Sequence, residues 1–67
     1  MKKIMEGLYK YKGVTVKKNY KDMYEATIYV TDRVLPITIM CCTQKSFKET
    51  FNRVVWENGG LKVGMYF

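Results

Sequence analysis

The apolar residues of this chain change period once, and that change fixes most of what the chain can fold into. Tyr24, Ala26, Ile28 and Val30 recur at every second position, alternating with Glu25, Thr27 and Tyr29. Leu35, Ile37, Ile39 and Cys41 keep that period in a second run, from Val34 to Thr43. Period two places each set on one face of a pleated strand. From Phe47 the spacing becomes three and four, so that Phe47, Phe51, Val54 and Val55 form one stripe along a helix. Two strands followed by a helix are therefore predicted between Met23 and Glu57.

The ends of that helix are marked. Ser46-Phe47-Lys48-Glu49 fits a capping box, in which the serine hydroxyl accepts from the N–H three residues on and the glutamate reaches back. The helix is predicted to start there. Asn58-Gly59-Gly60 ends it, because glycine takes the left-handed conformation after the last turn without a Cβ clash. Leu61, Val63, Met65 and Phe67 alternate again and predict a last strand. Pro36 has no N–H, which places the start of the Val34–Thr43 run at a sheet edge or leaves its N–H side unpaired.

Upstream, Leu8 to Lys18 alternates with one slip of phase. Tyr9 and Tyr11 share a face, Val14 and Val16 fall on the other, and Gly13 sits at the slip, which predicts a bulge or bend in a single strand. Asn19-Tyr20-Lys21-Asp22 reads as a turn. The expected fold is α+β: a three-stranded antiparallel meander packed on one C-terminal helix, plus a short last strand, in the order β-β-β-α-β. The 67 residues form one domain, and a chain of that length buries only about 60% of its unfolded surface.

The residue inventory narrows the function. The chain has no histidine, which removes the usual general base near neutral pH and the commonest metal ligand. Its two cysteines, Cys41 and Cys42, are neighbours and cannot supply a tetrahedral zinc site alone. No glycine-rich loop opens a helix. The expectation is a non-enzymatic binding module with no catalytic residue, metal or cofactor. No run approaches the roughly 20 apolar residues that span a bilayer, and no apolar run follows the basic Met1-Lys2-Lys3. A cytoplasmic location and no membrane partner are expected.

Charge points to a binding job. The net charge of +6 arises entirely in residues 1–21, where Lys2, Lys3, Lys10, Lys12, Lys17, Lys18 and Lys21 face Glu6 alone. Such an excess is either a solubilising face or a patch for a polyanion. Tyr9-Lys10-Tyr11-Lys12 and Tyr20-Lys21 interleave rings and cations, as single-stranded nucleic-acid surfaces do. The candidate nucleic-acid residues are Lys10, Lys12, Lys17, Lys18 and Lys21 with Tyr9, Tyr11 and Tyr20. They are expected in two patches, Lys10 with Lys12, and Lys17 with Lys18 and Lys21.

A second candidate surface lies on the helix. At about 100° per residue, Trp56 falls about 180° from Phe47, away from the apolar stripe and flanked by Asn52 and Arg53. Tryptophan and arginine dominate interface hot spots. Trp56, Arg53 and Asn52 are thus candidate protein-binding residues. The alternative function is a small phage- or mobile-element-type effector that binds and inhibits a host protein through Trp56 or an edge strand. The C-terminal strand could also pair two copies into a homodimer.

Tyr11-Lys12-Gly13-Val14 followed by Tyr24-Glu25-Ala26-Thr27-Ile28 resembles the opening of AP2-type DNA-binding domains and of the related N-terminal domains of phage and transposon integrases. The resemblance covers residues 11–30. It implies a three-stranded sheet with a C-terminal helix that reads the DNA major groove from exposed sheet positions, with Lys12 and Lys17 at basic positions that approach DNA. The family's Gly-Thr-Phe at the end of the third strand is absent here, and Phe47, Phe51 and Val55 stand where its helix carries alanines.

Overall fold

Tight turns, more than strands, set the architecture of the first third of the chain. The structure, a computed structural model, describes residues 1–62. It contains β1 (Lys2–Met5), β2 (Leu8–Tyr11), β3 (Val14–Lys18), β4 (Tyr24–Ile28), β5 (Ile37–Cys41) and α1 (Gln44–Glu57). The strands form one antiparallel sheet in chain order, β1-β2-β3-β4-β5. This corrects the expected three-stranded β-β-β-α-β order: five strands precede the helix.

The main correction lies at Gly13. The phase slip there is a two-residue hairpin turn, not a bend in a continuous strand. Tyr11 pairs with Val14 across it, and both turn residues have positive φ, Lys12 at 50° and Gly13 at 82°. Positive φ at both central positions is the turn whose twist matches a right-twisted hairpin. Reversal at this point explains why the apolar residues change parity: Tyr9 faces Val16 across the strands, and both are buried.

A second hairpin precedes it. Gly7, at φ 78°, closes β1 onto β2, and the register shifts between Lys3 and Met5, a bulge at Ile4 that gives β1 an extra residue. Between β3 and β4, Asn19 organises the turn. Its Oδ1 accepts from the backbone N–H of Lys21 at 2.9 Å and of Met23 at 3.1 Å.

One face of the sheet carries the core. Tyr9, Val14, Val16, Tyr24, Ala26, Ile28 and Ile39 are buried together with Val30, Phe47 and Phe51. Tyr9 meets Tyr24 edge to face with ring centroids 5.4 Å apart, and Tyr11 meets Phe51 at 5.0 Å. Such edge-to-face pairs add about 0.5–1.5 kcal/mol each beyond their buried area. Pro36 delays the second apolar run, so β5 begins at Ile37, and Val34 and Leu35 lie exposed in the loop before it.

The helix begins earlier than expected. Thr43 is the N-cap, its side chain accepting from the Ser46 N–H at 3.1 Å. Ser46 is inside the first turn. The other end follows the sequence: Gly59 has φ 78° and the Gly60 N–H donates to the Val55 carbonyl at 2.9 Å, the six-to-one bond of a Schellman cap. The chain then returns to β4. Thr31 N–H donates to Gly60 O, Asp32 N–H to Asn58 O and Lys62 N–H to Tyr29 O, at 2.9, 2.9 and 3.0 Å. Leu61 makes a single antiparallel bridge with Val30. The predicted last strand otherwise falls on residues 63–67, outside the described residues, as does the dimer contact assigned to it.

Candidate binding surfaces

The hairpin at Gly13 decides where the lysines go. Because Tyr9 and Tyr11 face the core, Lys10 between them faces away, onto the open side of the sheet. Lys2 is its register partner on β1 and Thr15 on β3. Lys17, between buried Val16 and the strand end, shares that side. Its partners are Leu8 and Glu25, and Glu25 faces Met40 in turn. Thr27 and Thr38 complete this open face, with their hydroxyls 3.4 Å apart.

Lys2 and Lys10 are thus like charges directly opposed on adjacent strands, their Cβ atoms about 5 Å apart, a destabilising pairing. Lys10 Nζ donates to Thr15 Oγ1 at 3.2 Å. Neither ion pair among the described residues, Lys3–Glu6 at 2.9 Å and Lys18–Asp22 at 3.5 Å, includes Lys2, Lys10 or Lys17. Hydrogen bonding to Lys3 holds the Glu6 carboxyl below the usual glutamate value and raises Lys3 in turn. The nearby Asp22 charge raises Lys18.

The remaining candidates separate. Lys12, in the β2–β3 turn, reaches the helix and donates to Asn52 Oδ1 at 2.8 Å. Lys18 lies on the helix-side face of the sheet, 5.3 Å from the Tyr24 ring centroid. Lys21 is in the β3–β4 turn, 5.7 Å over the Tyr20 ring. Lys10 therefore shares a face with Lys17, not with Lys12. Of the three tyrosines, Tyr9 is core and Tyr11 is half-buried against Phe47 and Phe51. Tyr20 is 92% exposed. Lys2, which shares the open face, carried no positional signal in the sequence, because its strand does not alternate.

The helix presents the second surface. Trp56 is 86% exposed, and Asn52 and Arg53 are exposed beside it. A cleft of about 490 Å³ is lined by Lys12, Asn52, Val55, Trp56, Gly59 and Gly60. The hairpin turn forms one wall and the last turns of α1 with its glycine cap form the other. Asn52 Oδ1 accepts both from Lys12 and from the Tyr11 hydroxyl, at 3.2 Å. The sequence signal for Trp56 was its helical angle; nothing in the sequence announced that Lys12 would meet it across a turn.

Cys41 and Cys42 are free thiols, the second exposed. Among the described residues no three histidine, cysteine or acidic side chains are placed to hold a metal ion, and no helix is long and apolar enough to cross a membrane. No family model, no curated protein and no solved structure matches the chain.

Proposed function

We propose that this protein is a non-enzymatic module that binds nucleic acid, duplex DNA in particular, through the open face of its sheet. The observation that carries the reading is the cluster of Lys2, Lys10 and Lys17 on one solvent-facing side, two of them directly opposed and none within an ion pair. A row of phosphates removes the repulsion that this arrangement otherwise leaves in place. Thr15, Thr27 and Thr38 add short hydroxyls to the same face, and a sheet laid in a groove is an established reading geometry. The resemblance of residues 11–30 to AP2-type and integrase N-terminal domains implies Lys12 and Lys17 as basic positions that approach DNA; Lys17 is on the open face, whereas Lys12 is in the β2–β3 turn against Asn52.

A titration of duplex DNA at several salt concentrations tests this. If three lysines each neutralise a phosphate, log affinity falls against log salt with a slope of about −2.7, or about 40-fold between 50 and 200 mM. Lys10→Glu should weaken binding and flatten that slope. Absence of binding at 50 mM salt refutes the proposal.

A second reading, capture of a host protein through Trp56, Arg53 and Asn52 by a small effector, is favoured by the 86% exposure of Trp56. Nuclease-resistant recovery of a protein partner that Trp56→Ala abolishes would select it.

A further inference from the structure

The cleft between the β2–β3 turn and the end of α1 combines features that the sheet face does not use. Lys12 occupies a left-handed position, φ 50°, where a hairpin turn of this kind favours asparagine or glycine. A lysine there costs stability, about 1–2 kcal/mol for a left-handed residue with a Cβ. What the position provides is delivery: the ammonium sits against Asn52 and 5.5 Å from the Tyr11 ring centroid, at the cleft wall. Because an ammonium only donates, the Asn52 atom facing it must be the oxygen. The Asn52 amide nitrogen is then turned away, with no hydrogen bond to another described residue. Lys12 and Asn52 thus bring N–H donors to the same cleft, and the Trp56 ring stands exposed beside them.

The other wall is bare of side chains at Gly59 and Gly60. The charged groups around it are few. Asp32 lies so close to Gly59 that a Cβ there would stand 2.9 Å from its Oδ1; Glu57 follows Trp56 directly and Arg53 precedes it by three residues on α1. The anionic margin is at the glycine side and the cationic one at Lys12.

We propose that this cleft holds a single nucleotide, with its base laid on the Trp56 indole and its phosphate between Lys12 Nζ and Asn52 Nδ2. The inference rests on the nucleic-acid reading and extends it to a second site. The shared chemistry is a planar, acceptor-rich base joined to an anion. It can arrive as a free nucleotide or as an unpaired residue of a strand, since stacking on an aromatic side chain is available to any base outside a duplex.

Trp56 is the single tryptophan of the chain, so its fluorescence reports this cleft alone. Adenosine monophosphate, adenosine, inorganic phosphate, a blunt duplex and a duplex with an unpaired overhang are titrated in turn. Adenosine monophosphate should quench Trp56 saturably; adenosine should bind at least about tenfold more weakly, the value of a lost charge-assisted hydrogen bond, and inorganic phosphate should bind about tenfold more weakly for want of a stacked base. Lys12→Asn, which keeps a residue suited to the left-handed turn, should weaken the nucleotide by about tenfold without lowering the melting temperature. Saturation by adenosine monophosphate alone assigns the site to a free nucleotide; saturation by the overhang duplex only assigns it to an unpaired strand residue.

The proposal is overturned if neither the nucleotide nor the overhang quenches saturably, or if Lys12→Asn leaves the affinity unchanged. Tighter quenching by an acidic, phenylalanine-ended peptide would give the cleft to a protein instead. Blunt-duplex binding that Lys10→Glu weakens, with no saturable quenching by either the nucleotide or the overhang, leaves the sheet reading intact and removes the cleft. Nucleotide quenching without duplex binding does the reverse.

Discussion

Replacing Gly13 tests the central structural claim, that residues 8–18 are a hairpin closed by a two-residue turn. Gly13 has φ 82°, and a Cβ added there would meet nothing within 4 Å. No clash contributes, so the cost of Gly13→Ala is conformational: about 1–2 kcal/mol for a left-handed residue with a Cβ, offset by about 0.4–1 kcal/mol because alanine also restricts the unfolded chain. The net is about 1 kcal/mol, which for a domain of this size lowers the melting temperature by about 4–8 °C. Asparagine tolerates the left-handed region better than alanine, and a β-branched residue tolerates it worst. The order of stability should therefore be glycine, asparagine, alanine, valine. Gly59→Ala supplies the contrast, with a similar φ of 78° but a Cβ 2.9 Å from Asp32 Oδ1. It should cost more than Gly13→Ala, and Asp32→Ala should recover part of the difference. Chemical or thermal unfolding measures the series. If Gly13→Val is as stable as the parent chain, the turn is not held by a left-handed residue 13 and the hairpin reasoning fails.

Three further outcomes follow from the same contacts. Thr43→Ala should lower stability by about 1 kcal/mol, the usual value of an N-cap, while Ser46→Ala should leave unfolding nearly unchanged, since Thr43 holds the cap; urea titrations of the two variants distinguish them. Lys2→Glu should raise stability by a few tenths of a kcal/mol by turning an opposed like-charge pair into an attractive one, while weakening DNA in the salt titration. Glu6, whose carboxyl is held below its ordinary value of 4.5 by Lys3, contributes stability that is present above that value and is lost as pH falls through the lower folded value. Lys3, raised above 10.5, contributes below that value and loses it at higher pH as its folded value is passed. With no histidine in the chain, thermal melts between pH 5 and neutrality should therefore be nearly superimposable, and Glu6→Gln should abolish the acid-side change assigned to this pair.

The strands that the sequence announced are those with one buried face. Tyr24, Ala26, Ile28 and Ile39 alternate because β4 and β5 cover the core, and Phe47 and Phe51 repeat because α1 packs on it. β1 was not legible: Lys2, Lys3, Ile4 and Met5 are all exposed, so no burial constraint imposed a period on them. The Lys12-Gly13 turn escaped notice because its first residue is a lysine and not one of the usual left-handed formers. A single break in alternation then reads equally well as a bulge. Thr43 was hidden by Ser46 and Glu49, which offered a competing cap in the same stretch. At the binding surfaces, the exposure of Trp56 could be read from its angle on the helix. The fates of Tyr9 and Tyr11 could not, because a tyrosine beside a lysine has the same sequence signature whether its ring is packed or wet.

The chain-order sheet also governs how the molecule comes into being during synthesis. Each strand pairs with its predecessor through a short connection. Such hairpins close in about 1–10 μs, whereas a ribosome adds only about 5–20 residues per second. Pairing therefore keeps pace with emergence, strand by strand. The apolar face made by Tyr9, Val14, Val16, Tyr24, Ala26, Ile28 and Ile39 has no cover until Phe47 and Phe51 emerge. A half-made chain is a wet sheet with one greasy side, and its exposure to self-association lasts on the order of a second, the time a ribosome takes to go from Ile39 to Phe51, until α1 closes over it.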